Sequence, residues 1–317
     1  MAPDSPAPTA SLADPTTLAQ VATGMTWAEG PAWIAGRQVL RFSDVRTNRV
    51  LEFHEPSAEL RVLSTDPEFT NGRTIAPDGS VVECSHGRRA IQVDAHAQHP
   101  DAPYAPRVLA DHFGTARLNS PNDVVVHPDG SIWFTDPSYG IKRPDEGHGG
   151  EEEYGDRYVF RFDPAADDEP VPVVIDVEAP NGLAFSPDTR TLYVADTSVS
   201  PAAPGGEDPQ RPGRHVIHAY DVFSGRHAKN GRILAEVSPG APDGIRVDRE
   251  GRIWTSSASG VQVLDADGTV LEQIPVPEPV ANLEFGGADG RSLFICATSS
   301  LYRIRTRTQD ARAWMQP

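Results

Sequence analysis

Apolar and polar residues alternate along this chain in short runs, each closed by Gly, Pro, Asn or Asp. SIWFTDP, RYVFRFDP and VPVVIDV follow one another between residues 131 and 177. A period of two, with β-branched and aromatic residues enriched, predicts strands with one face buried, and PDG ahead of such a run predicts a tight hairpin. The pattern recurs six times. Each repeat opens on a short polar residue that leads an apolar run: Glu29 in AEGPAWI, Asn71 in TNGRTIAP, Asn122 in PNDVVVHP, Asn181 in PNGLAFSP, Asp243 in PDGIRVD and Asn282 in ANLEFGG. A Gly- or Asp-centred hairpin follows each opening.

The openings recur at intervals of roughly 40 to 60 residues, the spacing of propeller blades, two of which carry enlarged loops. Repeats one to five each supply four strands. The sixth supplies three, and TLAQVATGM (residues 17–25) is expected to add the missing outer strand, so that no sheet edge is left open. The expected fold is all-β: a six-bladed β-propeller, four antiparallel strands per blade, closed by an N-terminal strand in the last blade. A β-sandwich would explain neither the repeated openings nor the length. Residues 1–14, rich in Pro and Ala, are expected to form a disordered tail, and 15–317 a single propeller domain.

Composition narrows the partners. The 317 residues contain 28 Lys and Arg against 45 Asp and Glu, a net charge of −17 without a basic cluster, which argues against nucleic acid and anionic membranes. No apolar run is long enough to span a bilayer, and the first residues lack the pattern of a secretory signal, so a cytoplasmic location is expected. A monomer or weak oligomer is expected. The two cysteines, Cys84 and Cys296, read as buried reduced thiols.

In a propeller the first strands surround the channel, so their opening side chains converge. Glu29, Asn181 and Asp243 offer two carboxylates and an amide oxygen, hard donors suited to Ca²⁺ or Mg²⁺. Two carboxylates on one axis resist joint ionisation unless a cation joins them. Singly each Asn-Gly or Asp-Gly is an ordinary turn dipeptide; six in phase predict a ring. The second-to-third-strand loops 138–156 and 198–215 project on the same face as the openings, the first as a candidate lid. Asp44, Asp136 and Asp196, which end second strands, are expected to cap loops, and Trp27, Trp33, Trp133 and Trp254 to pack between blades.

The segments AEGPAW (28–33), NSPNDVVVHPDGSIWFTDPSYGI (119–141), PNGLAFSPDTRTLYVAD (180–196) and PDGIRVDREGRIW (242–254) resemble the regucalcin-type gluconolactonases, the SMP-30/gluconolactonase/luciferin-regenerating enzyme family. The resemblance runs over about residues 26–306. It implies a metal-dependent hydrolase opening a sugar lactone such as glucono-1,5-lactone, with one divalent ion in the channel: Ca²⁺ first, with Mg²⁺, Mn²⁺ or Zn²⁺ as alternatives. The implied ligands are Glu29, Asn181 and Asp243, with Asn122 as a fourth ligand or a substrate contact. Asp243 is also the implied proton acceptor.

The expected substrate contacts are Asn122, Arg117 and Asn119 along ARLNSPND, Tyr139 at the start of the lid, Asn71 in the ring and His86 at the mouth. Mammalian members of the family carry an Arg two positions before the Asn122 equivalent. Ser120 stands there in this chain, which leaves Arg117 or Arg73 to supply a guanidinium. Two other functions fit the same site: a phosphotriesterase-like hydrolase, and a calcium-binding propeller without turnover.

Overall fold

The computed structural model describes residues 11–312 except 96, 100, 102, 167 and 199–212. Six four-stranded antiparallel sheets follow one another around an axis, as the repeat predicts. Blade one comprises Ala28–Ile34, Val39–Asp44, Arg49–His54 and Glu59–Ser64. The first strands of blades two to six are Thr70–Ile75, Val124–Val126, Pro180–Phe185, Ile245–Val247 and Val280–Gly286. These innermost strands are almost wholly buried, whereas outer strands such as Glu59–Ser64 and Val270–Pro275 alternate toward solvent.

The N-terminal strand closes the ring on the outer edge of blade six. It runs from Ala13 to Thr23, antiparallel to Ser300–Thr306, with Ala13 opposite Thr306 and Thr23 opposite Ser300. It therefore begins four residues earlier than its apolar pattern suggests, and Ala13 and Asp14, expected in the tail, belong to it. Ser11 is also held, by the Glu272 carboxylate. The rest of the expected tail, residues 1–10, lies outside the described residues.

Apolar clusters fill the spaces between blades. Trp33 stacks on Phe294 between blades one and six (centroids 5.3 Å apart), and Trp133 meets Phe185 edge-on between blades three and four. Cys84 and Cys296 are buried free thiols inside such clusters. No helix among the described residues is long and apolar enough to cross a membrane.

Close approach of neighbouring blades explains the glycine after four of the six openings. A Cβ on Gly182 would lie 2.0 Å from the Asp243 carbonyl oxygen, and one on Gly72 would lie 2.3 Å from that of Asn122. The same glycines donate their N–H groups to those carbonyls, at 3.1 and 2.8 Å. The dipeptide that looks like turn punctuation is an inter-blade contact. Only a residue without a side chain lets adjacent openings come this near.

Candidate active site

Five of the six openings line one cavity of about 270 Å³ at one end of the channel: Glu29, Asn71, Asn122, Asn181 and Asp243. Its position follows from the aspartates that end second strands. Asp44 accepts the backbone N–H groups of Thr26 and Trp27, Asp136 those of Asn119 and Ser120, and Asp196 those of Glu178 and Ala179. In each case these are the residues three and two places before the opening, Glu29, Asn122 and Asn181. In these three blades one carboxylate thus fixes the entry of the chain into its first strand. In blade five the contact differs: Ser256 Oγ accepts the N–H of the opening residue itself, Asp243, at 2.8 Å.

Asn282, the sixth opening, does not line the cavity. Its Nδ2 donates to Glu29 Oε2 at 3.0 Å, and Gly30 N donates to the same oxygen. Glu29 is thereby fixed by its own blade and by the last one. Its remaining oxygen, the Asp243 carboxylate and the side-chain amides of Asn122 and Asn181 have no hydrogen-bond partner among the described residues. Burial pushes the Glu29 carboxyl up to about 7. Asp243 sits deep in the protein but opens to the cavity, and burial, followed by the charge of Glu29, raises its carboxyl too. Two raised carboxyls, one further raised by the charge of the other, beside unpaired amide oxygens, are what a divalent cation would relieve. The donors are all oxygen, and no imidazole or thiol is among the described lining residues, so the set fits a hard cation.

The loop 138–156 folds over this end of the channel. After one helical turn, Tyr139–Lys142, it crosses from blade three toward blades one and two. Arg46 of blade one pairs with Glu146 at 3.2 Å, and Glu68 of blade two meets His148 at 2.8 Å. Tyr139, Arg143 and Glu146 reach the cavity, the Arg143 guanidinium 4.9 Å from the Tyr139 ring centroid. Thr197 and, from the second long loop, Ser198 also line the cavity; residues 199–212 of that loop lie outside those described.

Three expected substrate contacts lie elsewhere. Arg117 donates from Nη2 to the Arg88 carbonyl and from its backbone N–H to Glu153, on the outer rim. Asn119 is fully buried, its Nδ2 spent on the Asp136 and Asp156 carbonyls and the Tyr154 hydroxyl. His86 stands behind Asn71 and does not reach the cavity wall. Arg73, the other candidate guanidinium, is sealed in the channel between Glu83, Ser43 Oγ and the Gly30 carbonyl. Trp27, expected to pack between blades, lines the cavity with the Arg46 guanidinium 4.6 Å from its ring centroid. Arg143, Glu146 and Trp27 were missed for one reason. Loop residues and a lone aromatic carry no repeat signal.

A six-bladed propeller whose channel end gathers two carboxylates and several amides defines a class of site suited to a hard cation and a small polar ligand. Residues 27–299 match the SMP-30/Gluconolactonase/LRE-like region. The chain belongs to that family. It is 30% identical to a gluconolactonase from Zymomonas mobilis, over 92% of this chain and 82% of that one. It is 29% identical to a pentonolactonase from Haloferax volcanii, over 87% and 82% of the two chains. The solved structure of a gluconolactonase from Xanthomonas campestris superposes with a TM-score of 0.80 at 36% identity, covering 91% of this chain and 89% of that one.

Proposed function

We propose that this protein hydrolyses sugar lactones with a divalent cation held by Glu29, Asn181 and Asp243, Asn122 standing beside them. The observation that carries this is the convergence of two raised carboxyls and two unpartnered amides on one cavity. The lactonase activities of relatives near 30% identity over most of the chain support the same substrate class.

A cation bound there supplies Lewis-acid polarisation of the lactone carbonyl. The chain's own groups do the rest. Asp243, open to the cavity, is placed to take a proton from the attacking water as the new C–O bond forms. The ring C–O bond then breaks, and the proton returns to the departing alkoxide, leaving an open hydroxy acid. Burial favours the protonated form of Asp243 and the cation the ionised form, which together poise it for a proton taken and given back. Asn122 and Asn71 present amides to the ring hydroxyls, and Tyr139 and Trp27 border the cavity with apolar faces. The loop anchored by Arg46 and Glu68 limits access of bulk water.

The test is to strip the protein with chelator, restore Ca²⁺, Mg²⁺, Mn²⁺ or Zn²⁺ singly, and follow acid release from a panel of aldonolactones. Glu29→Gln and Asp243→Asn are expected to abolish metal-dependent hydrolysis with the fold intact. Full activity in either variant would overturn the mechanism. Hydrolysis of phosphotriesters in preference to every lactone would reassign the substrate.

A further inference from the structure

His86 has no counterpart in the chemistry above, yet it is buried and its two ring nitrogens are both engaged. Nδ1 lies 3.0 Å from the Glu146 carbonyl oxygen, and Nε2 lies 3.2 Å from Asn71 Nδ2. A carbonyl only accepts, so Nδ1 carries the hydrogen. The neutral ring then offers a lone pair at Nε2, and the Asn71 amide must turn its NH₂ toward it. The opposite amide orientation would need a hydrogen on both ring nitrogens. Burial opposes that charge, lowering the imidazole below its ordinary range.

The consequence falls on the other end of the amide. Asn71 lines the cavity, and its Oδ1 is buried with no partner among the described residues. A buried acceptor left unpaired is costly unless something arrives to donate to it. The side chain is held from two sides. A Cβ on Gly140 would fall 2.5 Å from His86 Cβ, so the first turn of the 138–156 loop packs closely on the base of this side chain, while Glu146 of the same loop holds Nδ1.

We propose that His86 is a positioning residue: gripped by the loop, it fixes the Asn71 amide so that Oδ1 accepts a hydrogen bond from a hydroxyl of the lactone. This rests on the lactonase reading and adds a source of discrimination to it. A polyhydroxylated lactone satisfies the acceptor, and a lactone without ring hydroxyls leaves it unpaired.

The experiment compares kcat/KM for glucono-1,5-lactone and for unsubstituted δ-valerolactone in the full-length, metal-loaded protein. Asn71→Ala is expected to lower the ratio of the two about tenfold, the weight of one neutral hydrogen bond. His86→Leu should lower it as much, and adding it to Asn71→Ala should lower it no further. His86→Gln, whose Oε1 replaces the Nε2 lone pair, should restore the ratio. An unchanged ratio in His86→Leu, an equal loss on both lactones, or a Gln variant no better than Leu would each overturn the proposal. Independently of turnover, ¹⁵N–¹H correlations of the imidazole in the unmutated protein should show the Nδ1–H tautomer; the Nε2–H tautomer would sink the arrangement. If the unmutated protein opens neither lactone, the lactonase reading and the hydroxyl as occupant fail together, and the tautomer still decides whether His86 orients Asn71.

Discussion

Asn282 donates a hydrogen bond to Glu29 across 253 positions of sequence, joining the last blade to the first at the rim of the channel. The bond occupies one carboxylate oxygen and leaves the other directed at the cavity. Groups that orient a metal ligand in this way typically change affinity 10- to 100-fold when removed. Asn282→Ala is therefore expected to weaken cation binding by about that factor, read by calorimetric titration of Ca²⁺, while thermal stability of the metal-free protein changes less than in a core truncation.

The pH dependence of cation binding follows from the same carboxylate. Burial raises Glu29 in the folded protein from 4.5 to about 7. Protons then compete with the cation at and below neutrality, so the Kd for Ca²⁺ should rise by up to tenfold per unit as pH falls below 7. In the metal-free protein the sign for stability is the reverse. The folded state holds this proton more tightly than the unfolded chain, so the contribution is fully present below pH 4.5 and is lost as pH rises through about 7. Melting temperatures of the chelated protein should fall across that window, and Glu29→Gln should flatten that part of the profile.

Gly182→Ala probes the contact between blades four and five. The added methyl would sit 2.0 Å from the Asp243 carbonyl oxygen, a backbone atom held in its strand entry by Ser256. Relief requires the two blades to part. Destabilisation of about 3 kcal/mol is expected, at the upper end for overpacking, with loss of cation binding because Asn181 and Asp243 separate. Denaturant midpoints and the same titration check both halves.

Asp44→Ala removes the acceptor for the N–H groups of Thr26 and Trp27 and also the partner of Arg49 at 2.6 Å. Leaving those donors unpaired should cost about 1–3 kcal/mol. Because Trp27 and Glu29 enter the cavity from this segment, kcat/KM should fall as well, though the variant lacks no group that touches substrate.

How much of this was readable beforehand depends on whether a feature repeats. The six openings recur once per blade and the aspartates that cap them in three blades, and a recurring residue at one register position can mean only one place in the ring. That made the propeller and Glu29, Asn122, Asn181 and Asp243 visible as a set. Arg117 and Asn119 were drawn in by their nearness to Asn122 in sequence, yet a few residues carry the chain from rim to channel. Asn119 is turned outward by its bonds to the Asp156 carbonyl and Tyr154. The bond from Asn282 to Glu29 was hidden for the opposite reason, since it joins distant residues through ring closure. Arg143 and Glu146 sit in a loop whose acidic composition reads equally well as a solvated excursion, and only its anchoring by Arg46 and Glu68 distinguishes it.

The outer strand of blade six is contributed by Ala13–Thr23 and its neighbour by Ser300–Thr306. During synthesis the first of these leaves the ribosome long before the second exists. Blade six, and with it the bond that Asn282 gives to Glu29, therefore forms only after nearly the whole chain has emerged. On the proposed reading, a chain cut short in its last blade would carry Glu29, Asn122, Asn181 and Asp243 yet lack the bond that pins Glu29, and would bind the cation more weakly.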